Sequence, residues 1–189
     1  MKKNLICTIP LLTLFANVSF AQKNDNDVVE NVTKATILLP GLAHEHKLGK
    51  ASTIYIGAYM NIWFSSTSSF YGSNTSTVHV GPALDLSFRN YYNYKRRSDR
   101  GKRTEMNSLN YVAPAFIVTS IQKPFSSGSE FVNLFGVVWG MQRNYPGRFS
   151  LDLDLGAGYL FNAQGFSNNN SVQPMSELTL GIWLNKKTK

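Results

Sequence analysis

The stretch Arg148–Phe161, RFSLDLDLGAGYLF, separates into two strictly alternating sets. Phe149, Leu151, Leu153, Leu155, Ala157, Tyr159 and Phe161 form an almost wholly apolar set, whereas Arg148, Ser150, Asp152, Asp154, Gly156, Gly158 and Leu160 are mostly polar or small. Successive side chains of a strand point to opposite faces, so a period of two means a strand between two different environments. The stretch is longer than the usual strand of about five or six residues and matches what a tilted strand needs to cross a bilayer. It predicts a transmembrane barrel strand, with lipid on the leucine face and a lumen on the aspartate face.

The same alternation recurs along the chain. Thr53–Phe64 sets Ile54, Ile56, Ala58, Met60, Ile62 and Phe64 against Thr53, Tyr55, Gly57, Tyr59, Asn61 and Trp63. Thr77–Tyr92 sets Val78, Val80, Pro82, Leu84, Leu86 and Phe88 against His79, Gly81, Ala83, Asp85, Ser87 and Arg89. Glu130–Arg143 and Met175–Leu184 read in the same way. Leu109–Ser120 is apolar on both faces, and Pro114 removes a ladder donor in its middle, so that strand must bulge or leave the position unpaired. With Ala35–Lys47, broken by Pro40-Gly41, the count is seven strands. Bacterial single-chain barrels have an even number. Either Val28–Lys34 supplies a short eighth strand, or Pro40-Gly41 divides Ala35–Lys47 into two.

Ser65–Ser76, Lys123–Ser129 and Asn162–Gln173 read as loops at one end, expected outside the cell. Leu48-Gly49-Lys50, Tyr94–Thr104 and Asn144–Gly147 are the connections at the other, expected in the periplasm. Aromatic residues gather near strand ends, among them Tyr91, Tyr92, Tyr94, Tyr145, Phe149 and Trp183, and read as girdles at the headgroup level.

Met1–Ala21 has a basic start, an apolar run from Leu5 to Phe15 and a small-residue site at Ser19-Phe20-Ala21, the pattern of a cleavable secretory signal read by the Sec pathway. The run is too short for a transmembrane helix, so embedding must be by strands. Cys7, the only cysteine, lies inside this signal, which leaves no disulfide, thiolate nucleophile or thiolate metal ligand beyond it. Residues 22–33 read as an N-terminal arm or weak first strand, and 34–189 as one barrel domain.

The signal, PGLAHEHKLGK (40–50), RNYYNYKRRSDRGK (89–102) and the terminal ELTLGIWLN (177–185) together resemble the small outer-membrane β-barrel proteins of the OmpX/OmpW-like size class. The resemblance covers nearly the whole chain after the signal. It implies an all-β, antiparallel up-and-down transmembrane barrel of about eight strands in a Gram-negative outer membrane, with outer-membrane lipid and the barrel-assembly machinery as partners. The last strand, with Gly181 and Trp183, looks like the signal that this machinery reads, although Asn185–Lys189 extend past it where the family ends on an aromatic residue.

On the inward faces lie Glu45, Asp85, Arg89, Asp152, Asp154 and Glu177, with Arg143 and His79 as further candidate partners. A barrel of about eight strands is just wide enough to be filled by its own side chains. Isolated buried ions cost several kcal/mol, so these charges are expected to pair into a structural plug beside Tyr55, Tyr59 and Trp63. Asp152 and Asp154 are about 6.6 to 7 Å apart, as any same-face strand neighbours are, and carry no acid/base reading on that ground alone. His44 and His46 share a face, but a metal site needs three or four ligands and no third is assigned. Lys95, Arg96, Arg97, Arg100, Lys102 and Arg103, against Asp99, make one connection strongly basic. The charge is local and no nucleic-acid motif accompanies it, so it reads as a solvated turn near lipid phosphates. No cofactor is expected, and the chain does not read as an enzyme. The alternatives are a lipid-modifying outer-membrane enzyme, for which no serine and histidine are placed together, and a soluble periplasmic β-sandwich binding protein. For the faces, Leu153→Arg is expected to hinder insertion and Ser150→Arg to be better tolerated.

Overall fold

The computed structural model describes residues 28–68, 74–122, 129–161 and 171–185. The expected signal, the first part of the expected arm and the centres of the expected loops lie outside the described residues. Eight strands, all antiparallel to their neighbours, follow one another around a closed ring: β1 (Val32–Thr36), β2 (Gly41–Lys47), β3 (Ser52–Ser68), β4 (Asn74–Tyr91), β5 (Asn110–Gln122), β6 (Ser129–Asn144), β7 (Phe149–Phe161) and β8 (Ser171–Trp183). Among the described residues the only helices are α1 (Tyr94–Ser98) and a 3-10 turn at Glu105–Asn107, and no helix is long and apolar enough to cross a membrane.

The eighth strand comes from the break before Gly41. The turn Ile37–Pro40 separates β1 from β2, so β1 joins the end of the expected arm to the start of the segment Ala35–Lys47. Two boundaries correct the sequence reading: β3 runs on to Ser68 and β4 begins at Asn74, so most of the Ser- and Thr-rich segment expected as a loop is paired strand. Cross-strand pairing overrides composition there, because each hairpin residue next to a paired one needs ladder partners for its backbone. At Pro114 the β4–β5 register does not slip. Ser87 pairs with Ala115 and Asn90 with Val112, and the two positions between them stay unpaired, which is the strand's answer to the missing donor.

The large aliphatic side chains gather on the outer face, and the charged ones are buried inside among tyrosines and smaller apolar residues. Outward, Ile56, Leu84, Leu86, Phe135, Val137, Leu155 and Leu178 are exposed. Inward, Lys34, Glu45, Thr53, Asp85, Arg89, Gln142 and Asp152 are buried. Leu153, in β7, pairs with Leu178 on the outer face, while its neighbour Asp152 is 5% exposed inside.

The two ends of the ring differ. At the end that carries α1 and the short turns, the segment before β1 folds in as a cover. Val28 N–H donates to Lys50 O (2.8 Å), Val29 is buried with Tyr91, Leu109 and Tyr111, and Asn107 clamps Glu30 by accepting its N–H (2.7 Å) and donating to its carbonyl (2.8 Å). At the other end β1 and β2 are too short to keep the wall complete. β8 pairs with β1 only at Gly181, Ile182 and Trp183, and β3 pairs with β2 only from Thr53 to Tyr59. Ile37 N–H to Leu180 O (2.7 Å) and Met60 N–H to Pro40 O (3.0 Å) add one bond to each ladder. Beyond them, Ser171–Thr179 and Asn61–Ser68 face each other across a notch above the β1–β2 turn.

Candidate functional site

The interior of the ring holds the candidate site. Its lower part, toward the covered end, is a connected polar network. Glu45 on β2 accepts from Thr53 Oγ1 (2.7 Å), from Gln142 Nε2 (3.1 Å) and from the Tyr91 hydroxyl. Arg89 on β4 donates to Gln142 Oε1 (2.9 Å), and its guanidinium lies 3.7 Å from the centre of the Tyr55 ring and 4.4 Å from that of Tyr111. Lys34 on β1 donates to Asp152 Oδ2 on β7 at 2.6 Å. The alternation of each strand puts these groups inside; the ring then brings β1, β2, β4, β6 and β7 within reach of one another.

The upper part is different. Asp154 accepts from the Tyr111 hydroxyl (2.7 Å) and lies 3.8 Å from Arg89 Nη2. Glu177 accepts from the Tyr59 hydroxyl (2.7 Å) and from Thr179 Oγ1 (3.0 Å). Asp85 is 6% exposed, and its Oδ1 has no hydrogen-bond partner. These three carboxylates border a cavity of about 480 Å³, which reaches Leu38 and Leu39 of the β1–β2 turn and both edges of the notch, Asn61 and Ile62 on β3 and Gln173–Leu178 on β8. Apolar side chains make most of its wall. No basic side chain among the described residues lines it.

All six lumen residues singled out from the sequence, Glu45, Asp85, Arg89, Asp152, Asp154 and Glu177, sit on inner faces. Their pairing departs from the expectation. Among the described side chains five carboxylates face inward against Lys34 and Arg89, and Asp85 Oδ1 and Asp152 Oδ1 lack partners. Arg143 is no member of the network: its guanidinium donates to Leu109 O (3.0 Å), Gln142 O (2.6 Å) and Asn110 Oδ1 (2.7 Å). Its register with Leu151, an outward residue, explains why. The side chains of His79 and Trp63 lie outside the described ones.

Lys34, Gln142 and Tyr111 are the members that the sequence reading missed. Lys34 is hidden from the sequence because β1 straddles the boundary between the expected arm, 22–33, and the expected barrel domain, 34–189. Gln142 and Tyr111 were legible, since alternation with Met141 and Val112 turns them inward, but an uncharged side chain gives no signal that it joins an ion network. Gly140 belongs with them: a Cβ there would overlap the Tyr111 ring and the Asp154 carboxylate that it meets.

Two expected surface girdle members, Tyr91 and Trp183, are buried at 2% exposure, because they share the inward parity of Arg89 and Gly181; the Tyr91 hydroxyl donates to Glu45 and Trp183 Nε1 to Tyr145 O (3.0 Å). Tyr92, Tyr94, Tyr145 and Phe149 are exposed at the turn end, with Trp139 Nε1 donating to the Tyr92 hydroxyl (2.7 Å). His44 and His46 stack on the outer face at 6.3 Å, and His44 Nδ1 meets Thr33 Oγ1 at 2.9 Å.

The basic connection divides into two groups. Arg97 holds Arg103 O through Nη2 (2.9 Å), and Arg103 holds Asn144 O (2.7 Å) and Glu105 (2.5 Å), so both are braces of the turn. Partial burial pulls the Arg97 guanidinium down from its ordinary value without taking it out of its charged form. Lys95, Arg96, Arg100 and Lys102 face solvent. No protein-family model, curated protein or solved structure matches this chain.

Proposed function

We propose that this chain is a small outer-membrane β-barrel protein with a structural or surface-interaction role and no catalytic one. The observation that carries the reading is the sidedness of the ring. A belt of exposed Ile, Leu, Val and Phe surrounds an interior that buries Lys34, Glu45, Asp85, Arg89, Gln142 and Asp152 among tyrosines and smaller apolar side chains. Water-soluble monomers rarely expose a contiguous apolar patch beyond a few hundred Å², whereas a bilayer requires such a belt. The exposed tyrosines and Trp139 at the turn end suit the headgroup level, and the four free-standing cations of the connection beyond β4 suit anionic headgroups there. Val28–Asn31, Met106 and Leu109 cover that end of the lumen, which favours an anchor or scaffold over an open channel.

The test is fractionation and gel migration. The protein is expected in the outer-membrane fraction, soluble only with detergent, and to migrate differently before and after boiling. Recovery in the aqueous periplasmic fraction without detergent overturns the reading, and stable ion conductance in planar bilayers overturns the closed lumen.

A further inference from the structure

The cavity beneath the notch has the makings of a ligand site. Its volume, about 480 Å³, falls within the roughly 300 to 1,000 Å³ of small-molecule sites. Leu39, Ala115, Ile117, Leu134, Val138 and Met175 supply apolar wall. Asp85, Asp154 and Glu177 supply three carboxyl groups, with no basic side chain among the described lining residues. Asp85 is the sharpest signal: a carboxylate 6% exposed, bordering the space, with one oxygen that nothing in the protein satisfies. A buried carboxylate in that condition is costly unless a cation or donor completes it.

The cation is not a bare metal ion, because no three acidic, histidine or cysteine side chains among the described residues converge closely enough to hold one. The carboxylates are instead spread over β4, β7 and β8 around an oily space, which suits a head group broader than an ion with a hydrocarbon part attached. Access is equally specific. β8 and β3 are separated by β1 and β2, so the notch between them spans three strand spacings, roughly 14 Å. The cavity touches both of its edges, Asn61 and Ile62 on one side and Ser176 and Leu178 on the other. It therefore opens sideways through the wall, toward the apolar belt.

We propose that this cavity binds an amphiphilic organic cation, an alkylammonium whose head is held by Asp85, Asp154 and Glu177, and that the ligand arrives through the notch between β3 and β8. The lateral route rests on the outer-membrane reading; the site itself does not.

Full-length protein in phosphatidylcholine nanodiscs is titrated with octylammonium, with octanol as the neutral chain, tetramethylammonium as the bare head and empty nanodiscs as the blank. Saturable octylammonium binding above the blank is expected. Asp85→Asn, which keeps the shape and removes the charge, is expected to weaken it about tenfold or more, as loss of a charge-assisted contact does. Leu134→Trp, at a lining position whose cross-strand partners are Ile117 and Leu160, fills the space away from the carboxylates; it is expected to abolish binding, and it carries the test if Asp85→Asn fails to fold. Heat-modifiable migration reports folding of each variant. No saturable binding by the folded protein overturns the proposal, as does unchanged affinity in both folded variants or equally tight binding of octanol. Tetramethylammonium binding as tightly as octylammonium overturns the amphiphile and its lateral route. If the protein instead proves soluble without detergent, the same titration in buffer still judges the site, and only the route through the wall is lost.

Discussion

Lys34 and Asp152 meet at 2.6 Å, both almost wholly buried, and Asp152 Oδ1 has no second partner. Removing the lysine would leave the carboxylate buried and uncompensated. Lys34→Ala is therefore expected to cost about 3 to 5 kcal/mol, whereas Lys34→Met with Asp152→Leu, which removes both charges and keeps the volume, should cost far less. Urea unfolding of the purified, folded protein measures both; equal losses in the single and the double variant would show that the pair is held by shape and not by charge. Ser150 shows the opposite limit of residue-level reading. Its inward, polar position made arginine look tolerable there, but it is 2% exposed and pairs with Gly181, so the longer side chain has no room. Ser150→Arg is expected to impair folding by overpacking.

Among the elements, the segment Val28–Asn31 and the 3-10 turn act as one cover for the turn end. Met106 and Asn107 both adopt left-handed backbone, at φ 52° and 59°, a conformation that asparagine tolerates better than most residues. The conformation turns the Asn107 amide onto Glu30, where it makes two hydrogen bonds with the backbone. Asn107→Ala removes both. It is expected to cost about 1 to 3 kcal/mol and to raise protease cleavage and amide exchange at Val28–Asn31 while the strands stay protected. Uniform loss of protection around the ring would mean that the cover and the ring unfold together. The β1–β2 hairpin is the other element with a particular consequence: five and seven residues against the 17 and 18 of β3 and β4 leave the wall open where the lumen is least filled.

For the whole molecule, the sidedness of the ring makes the environment testable by substitution. Leu84 is 58% exposed on the outer face of β4, midway between the ends of that strand. In a bilayer, Leu84→Arg is expected to cost about 2 to 4 kcal/mol and to lower the yield of the heat-modifiable folded form, since a lipid-facing charge near the midplane is costly. In water the same substitution would be nearly neutral, so undiminished folding yield would argue that the belt does not face lipid.

The period-two pattern was enough to determine the fold class and most face assignments, because alternation is a local property: once Leu153 is outward, Asp152 and Asp154 are inward regardless of what surrounds the strand. The break at Pro40-Gly41 was visible too, whereas at Pro114 alternation left a bulge and an unpaired position open, and the structure leaves it unpaired toward β4 while it pairs with Val137 of β6. Tertiary structure alone decided which inward groups meet. Lys34 and Asp152 are separated by 118 residues, Tyr59 and Glu177 by the same number, and their encounter depends on ring closure and strand register, quantities with no local signature. It also decided that Asp85 Oδ1 is left without a partner. That last outcome follows from geometry: Arg89 is committed to Gln142, Asp154 and two tyrosine rings, and no other described cation borders the space that Asp85 faces.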